Sequence, residues 1–214
     1  DSLPRRWQEA VAKYTEDTLK AYGIVPWHIQ WTYYRLVEAF KEKNKDRILK
    51  LSADLGHYVA DAHVPLHATL NYNGQLTGQH GIHGLLESRI PELFKDSFDY
   101  VVGAAPLINS PLFRIWEVVL ESAAAVDSVL SKELETRAAI APEEWHVLEP
   151  RGNRQVKTYS PAYTRLYHQK LNGLVERRLR TSILTVGSYW YSAWVEAGQP
   201  DLQPLIEAPL QLID

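Results

Sequence analysis

Residues 55–67 read Leu-Gly-His-Tyr-Val-Ala-Asp-Ala-His-Val-Pro-Leu-His. The stretch closes a predicted helix that runs from Arg47 to about Ala62, with Asp46 as its cap and Pro65 as the residue that ends or kinks it. Upstream the periodicity is again helical. Trp7, Val11, Tyr14, Leu19 and Tyr22 recur at helical spacing before Gly23, a C-terminal stop. Pro26 suits a first helical turn, and Trp27–Phe40 then runs into the charged exit Lys41–Lys45. Downstream, His67 to Gly84 changes texture. Asn71-Tyr72-Asn73-Gly74 and the glycines at 78 and 81 predict a loop with tight turns. A helix is expected to restart near Ile82 and reach toward Phe94, with Pro91 bending it. Leu112–Arg137 reads as one long helix, residues 138–159 as irregular, and Pro161–Ala197 as a final helical stretch broken at Gly173 or Gly187. No repeat and no alternating strand is visible. The expectation is an all-α fold, one domain of six or so helices over 1–214.

Composition bounds what such a chain can do. Its 214 residues are 45% apolar, enough for a core that needs no covalent staple. With 23 basic and 26 acidic residues the formal charge is −3, which argues against gripping duplex nucleic acid through phosphates alone. The absence of cysteine excludes disulfides, thiolate metal sites and thiol nucleophiles. No apolar run approaches the ~20 residues that cross a bilayer, and no signal peptide is visible. A chain that opens at Asp1 and holds no methionine is expected to be a processed product, a fragment or a recoded sequence.

Chemistry concentrates where the histidines do. Five of the eight, His57, His63, His67, His80 and His83, fall within 57–83, where an even scatter would place about one. Two His-x-x-x-acid pairs begin there, His57…Asp61 and His83…Glu87. Residues four apart on a helix share a face, so an imidazole nitrogen and a carboxylate oxygen can converge on one cation. Such pairs also arise by chance as surface ion pairs. Three histidines and an aspartate on a mostly apolar segment need partners, which a metal would supply and hydrogen bonds or solvent could also supply.

The runs LGHYVADAHVPLH (55–67) and GIHGLLESR (81–89) resemble the metal-binding core of the zinc-dependent phospholipase C and single-strand-specific nuclease superfamily. YGIVPWHI, NYNGQ and ERRLR…WYSAWV are similar to a bacterial branch of it, so the resemblance covers essentially the whole chain. It implies an all-helical fold, up to three zinc ions, and hydrolysis of phosphodiester bonds in phospholipid or single-stranded nucleic acid by water activated at the metals. Position by position it implies His67, His83 and Glu87 as ligands of one zinc and His57 and Asp61 as ligands of its neighbour. Asp61 would bridge to a third and act as the catalytic carboxylate. Asn71 and Tyr72, in the polar loop between the ligand groups, are the expected substrate contacts. Relatives carry further ligands upstream that this sequence lacks, so the chain is expected to be N-terminally truncated, to hold one or two zinc ions, and to turn over weakly or not at all. Relatives are exported, which implies a periplasmic or secreted protein. No protein partner is evident.

Other features read more plainly. His63 suits a role behind the ligands, Asp54 that role or an exposed helix position, and His28 ordinary packing or the cleft. Arg177, Arg178 and Arg180 could bind phosphate or form a structural face, and the aromatic residues suit a core more than a stacking platform. Two other functions compete with the hydrolase: a non-catalytic helical domain with one structural metal, and a helical interaction protein with none.

Overall fold

A computed structural model describes residues 3–207. The described residues are mostly helical, with one small two-stranded sheet among them. They gather into two compact units: residues up to Ala62, Val102–Val119 and those from Ser182 onward in the first, His63–Val101 and Leu120–Thr181 in the second.

In the first unit, α1 (Trp7–Tyr14) and α2 (Glu16–Tyr22) divide at Thr15, where the sequence predicts one helix. Thr15 adopts φ +65 and its hydroxyl accepts the Thr18 N–H, so a side-chain cap ends one helix and starts the next. α3 (Val25–Lys41) buries Ile29, Tyr33, Leu36, Val37 and Phe40 on one face. α4 (Lys45–Ala62) answers with Leu51, Leu55, Val59 and Ala62, spaced three and four apart. Its N-terminus is capped by Asn44, not Asp46: the Asn44 Oδ1 accepts the Arg47 N–H at 3.1 Å. Ile115 and Val118 of α7 (Pro111–Arg137) and Tyr189 and Ala193 of α9 (Leu174–Glu196) complete this core. A smaller cluster forms around Trp27, whose ring meets Trp7 and Trp116 edge to face.

The second unit packs Leu66, Ile82, Leu85, Ile90, Val129, Tyr163 and Tyr167 together. After α4 a 3₁₀ turn (Pro65–Ala68) leads into the tight turns the glycines predict. The helical run that follows is not uniform. α5 (Ile82–Gly84) passes into a π turn (Leu85–Arg89) and then α6 (Ile90–Phe94). Pro91 explains the widening, because its ring lacks an N–H and would strike the carbonyl four residues back in a regular helix.

Residues 138–159 are not wholly irregular. β1 (His146–Arg151) and β2 (Arg154–Tyr159) pair antiparallel, His146 opposite Tyr159, around a Gly152-Asn153 turn. The strands stay largely exposed, so no apolar alternation marks them, and the two-residue Gly-Asn loop is their one signal. The final helical stretch divides into α8 (Pro161–Lys170) and α9, with Asn172 at φ +48 and Gly173 at φ +73 between them. Gly187 lies inside α9 without interrupting it.

Candidate metal centre

His67 sits on the 3₁₀ turn after α4, His83 in α5 and Glu87 in the π turn. Their donor atoms converge. His67 Nε2 lies 3.3 Å from His83 Nε2 and 3.2 Å from Glu87 Oε1, and His83 Nε2 lies 2.8 Å from the same oxygen. The two imidazole rings stack with centroids 5.1 Å apart. Among the described residues this is the group of three donors within 4.8 Å of one another.

The arrangement fits a zinc ion on two grounds. Donors held ~2.0–2.1 Å from a tetrahedral centre stand ~3.3 Å apart, the spacing that two of the three pairs show. The electrostatics point the same way. His83 Nδ1 lies 2.9 Å from the Tyr72 carbonyl oxygen, which can only accept, so the ring proton sits on Nδ1 and a neutral His83 turns its Nε2 lone pair toward Glu87. Glu87 Oε1 is buried, and the two imidazole Nε2 atoms face it at 2.8 and 3.2 Å. Electron pairs facing one another at this range repel unless a cation or a proton lies between them. Two histidines and one glutamate form a donor set that leaves a fourth position open. All three side chains remain about 30% exposed, so solvent can reach that position.

His57 and Asp61 pair with each other on α4, in the first unit, with Nε2 and Oδ2 3.4 Å apart. They are not members of the three-donor group. Tyr58 stands between two imidazoles, edge-on to His57 at 5.2 Å and to His28 at 4.6 Å, so His28 packs against a tyrosine. His63 is buried and its carbonyl accepts the Arg178 Nε–H at 2.8 Å. Asp54 and His80 are exposed. Asn71 is 7% exposed and its amide is spent inside the loop, Nδ2 donating to Thr77 Oγ1 and Oδ1 accepting the Leu76 N–H. The Tyr72 ring is exposed, 6.2 Å from the His83 ring. The three arginines of the last long helix have protein partners: Arg177 the Asn172 carbonyl, Arg178 Glu121 and Ser122, Arg180 Asp99 and Val101.

A second polar assembly escapes sequence reasoning. Glu133 of α7 is fully buried, accepting hydrogen bonds from Arg137 Nε, Tyr163 Oη and Gln79 Nε2, each at 2.6 Å. Glu133 and Arg137 are four apart, a pattern that on sequence alone reads as a solvated ion pair. The first unit also contains a cavity of ≈ 420 Å³ lined by Phe113, Arg114, Thr185 and Ser188 among others. None of the residues named from sequence as ligands or substrate contacts lines it. Comparison of the chain with protein-family models, curated proteins and solved structures found no match.

Proposed function

We propose that this chain is a zinc-dependent hydrolase of phosphodiester bonds whose metal is held by His67, His83 and Glu87. The observation that carries the reading is the convergence of three donor atoms from two segments on one point, with a buried carboxylate oxygen faced by two imidazole nitrogens. Zinc bound there supplies Lewis acidity that makes water nucleophilic near neutral pH and draws charge from phosphoryl oxygens. The protein's own groups bind and orient. Glu87 neutralises part of the cation's charge, and the Tyr72 carbonyl holds His83 in the tautomer that presents Nε2. The exposed Tyr72 ring offers an apolar edge beside the centre for the substrate's leaving portion. The assignment of Asp61, which pairs with His57 on α4, as a catalytic carboxylate rests on the resemblance alone. The phosphodiester class, with phospholipid or single-stranded nucleic acid as the two substrates, rests on the resemblance of residues 55–67 and 81–89, as do the fold type and a periplasmic or secreted location.

The test is hydrolysis of bis(p-nitrophenyl) phosphate by chelated, zinc-loaded and zinc-loaded His83→Ala protein. Weak turnover, confined to the zinc-loaded protein, is the expected result. Turnover that survives chelation, or equal turnover in His83→Ala, overturns the hydrolase. A second reading, a structural metal in a non-catalytic domain, is favoured by the presence of one three-donor group among the described residues. Zinc that raises thermal stability while no diester is cleaved would select it. His83→Ala is expected to weaken zinc binding by about 100-fold or more, beyond the effect of losing a partner that only orients a ligand.

A further inference from the structure

The loop of residues 69–81 is closed by hydrogen bonds from its own side chains. Tyr72, whose carbonyl meets His83 Nδ1 at 2.9 Å, is flanked by two asparagines, and both spend their side chains closing the loop. On one side, Asn71 Nδ2 donates to Thr77 Oγ1 at 2.9 Å and Oδ1 accepts the Leu76 N–H at 2.8 Å. On the other, Asn73 Oδ1 accepts the Gly81 N–H at 3.1 Å, which ties the loop to the residue that starts the His83 helix. Gln75 spans the base, with Oε1 accepting the Asn73 N–H and Nε2 donating to the Leu70 carbonyl. Gly74 permits the fold-back, at φ +72 and with a Cβ position only 2.3 Å from the Gln79 carbonyl oxygen, where no side chain fits. The far end is anchored in the interior: Gln79 Nε2 donates to the Leu130 carbonyl and to buried Glu133, and Arg137 donates to the Gly78 carbonyl.

We infer that Asn71 and Asn73 are positioning residues for the metal centre: by clamping the backbone on either side of Tyr72 they fix its carbonyl against His83 Nδ1, and so set tautomer, ring orientation and metal affinity. The inference rests on the reading of His67, His83 and Glu87 as a metal centre. It assigns Asn71 a role through the backbone in place of direct substrate contact. A carbonyl free to turn would leave His83 able to place its proton on Nε2, the atom that must be bare to bind a cation. Ligand-orienting hydrogen bonds of this kind are worth about 10- to 100-fold in metal affinity.

The experiment titrates the whole chain with Co²⁺, whose visible absorption reports coordination geometry, and with Zn²⁺ in competition. Asn73→Ala removes the acceptor for the Gly81 N–H, and Asn73→Asp restores it. The expected result is a fall of about 10- to 100-fold in affinity and an altered cobalt spectrum for Asn73→Ala, with both recovered in Asn73→Asp. Thr77→Val, at an exposed position, removes the Asn71 partner and is expected to give a smaller fall even if Asn73→Ala unfolds. Wild-type affinity and spectrum in both Asn73→Ala and Thr77→Val would overturn the positioning role. Failure of the wild type to bind either ion would overturn the metal centre itself, a separate outcome.

Discussion

His168 shows what one side chain's surroundings do to its chemistry. Its ring stacks on Phe94 with centroids 4.6 Å apart, and its Nδ1 is buried with no hydrogen bond. Burial pushes its pKa below the ordinary 6.5, against a weaker pull upward from Glu176. The sign follows from proton binding. Between the folded and unfolded pKa values the unfolded chain holds a proton that the folded chain does not, so stability falls as pH drops from 6.5 toward the lowered value. His168→Phe keeps a ring against Phe94 and removes the proton. Its urea midpoint is therefore expected to fall less than the wild type's between pH 7 and pH values below 6. His146, also held low, by burial and then by Lys157 and Arg137, contributes equally to both proteins. Equal acid sensitivity in the two would refute the assignment.

Among the elements, the π turn at Leu85–Arg89 and the loop before it carry the consequences for the centre. Glu87 lies inside the π turn, and the wider winding sets where its carboxylate faces relative to His83. Pro91→Ala supplies the missing N–H and lets regular helical bonding close. Titration calorimetry is expected to show weaker zinc binding in this variant with thermal stability kept or raised. Unchanged affinity would separate the π turn from the centre. Glu133 is the element-level anchor, joining α7, α8 and the 69–81 loop through Arg137, Tyr163 and Gln79. Glu133→Ala strands an arginine, a tyrosine hydroxyl and an amide, and is expected to cost about 3–5 kcal/mol in urea unfolding. A loss under 1 kcal/mol, the range of an exposed pair, would show that the buried carboxylate is not the anchor.

For the molecule as a whole, each unit has its own main apolar core, built from helices whose faces repeat every three to four residues, and the first unit adds the smaller Trp27 cluster. Among the described residues no helix is long and apolar enough to cross a membrane. The three-donor centre lies within the second unit, with His67 16 residues before His83 and Glu87 4 residues after it. Binding that occurs only in the folded chain adds to stability, by about 2.7 kcal/mol at a zinc concentration 100 times Kd. Wild-type protein is expected to gain that much in denaturant unfolding and His83→Ala to gain almost nothing. One tightly bound zinc per chain, counted by elemental analysis, is the matching stoichiometry. A gain of equal size in His83→Ala would place the binding elsewhere.

Helix identity was legible in the residue order, because periodicity records which side chains share a face of the same segment. So was the His83–Glu87 pair, since a four-residue step brings both to one side. The resemblance, not spacing, grouped His67 with them, and it equally implied a neighbouring site at His57 and Asp61. Which donors stand within reach of one another depends on how a turn ends and where the next segment returns, and no local period encodes that. The same holds for the Gln79–Glu133–Arg137–Tyr163 assembly, whose pairing looks like a surface ion pair until packing removes the water. The hairpin at His146–Tyr159 stayed hidden because exposed strands carry no apolar alternation. Local patterns dictate elements. Convergence and burial arise when distant stretches pack, and here those two decide which imidazoles and carboxylates can share a cation.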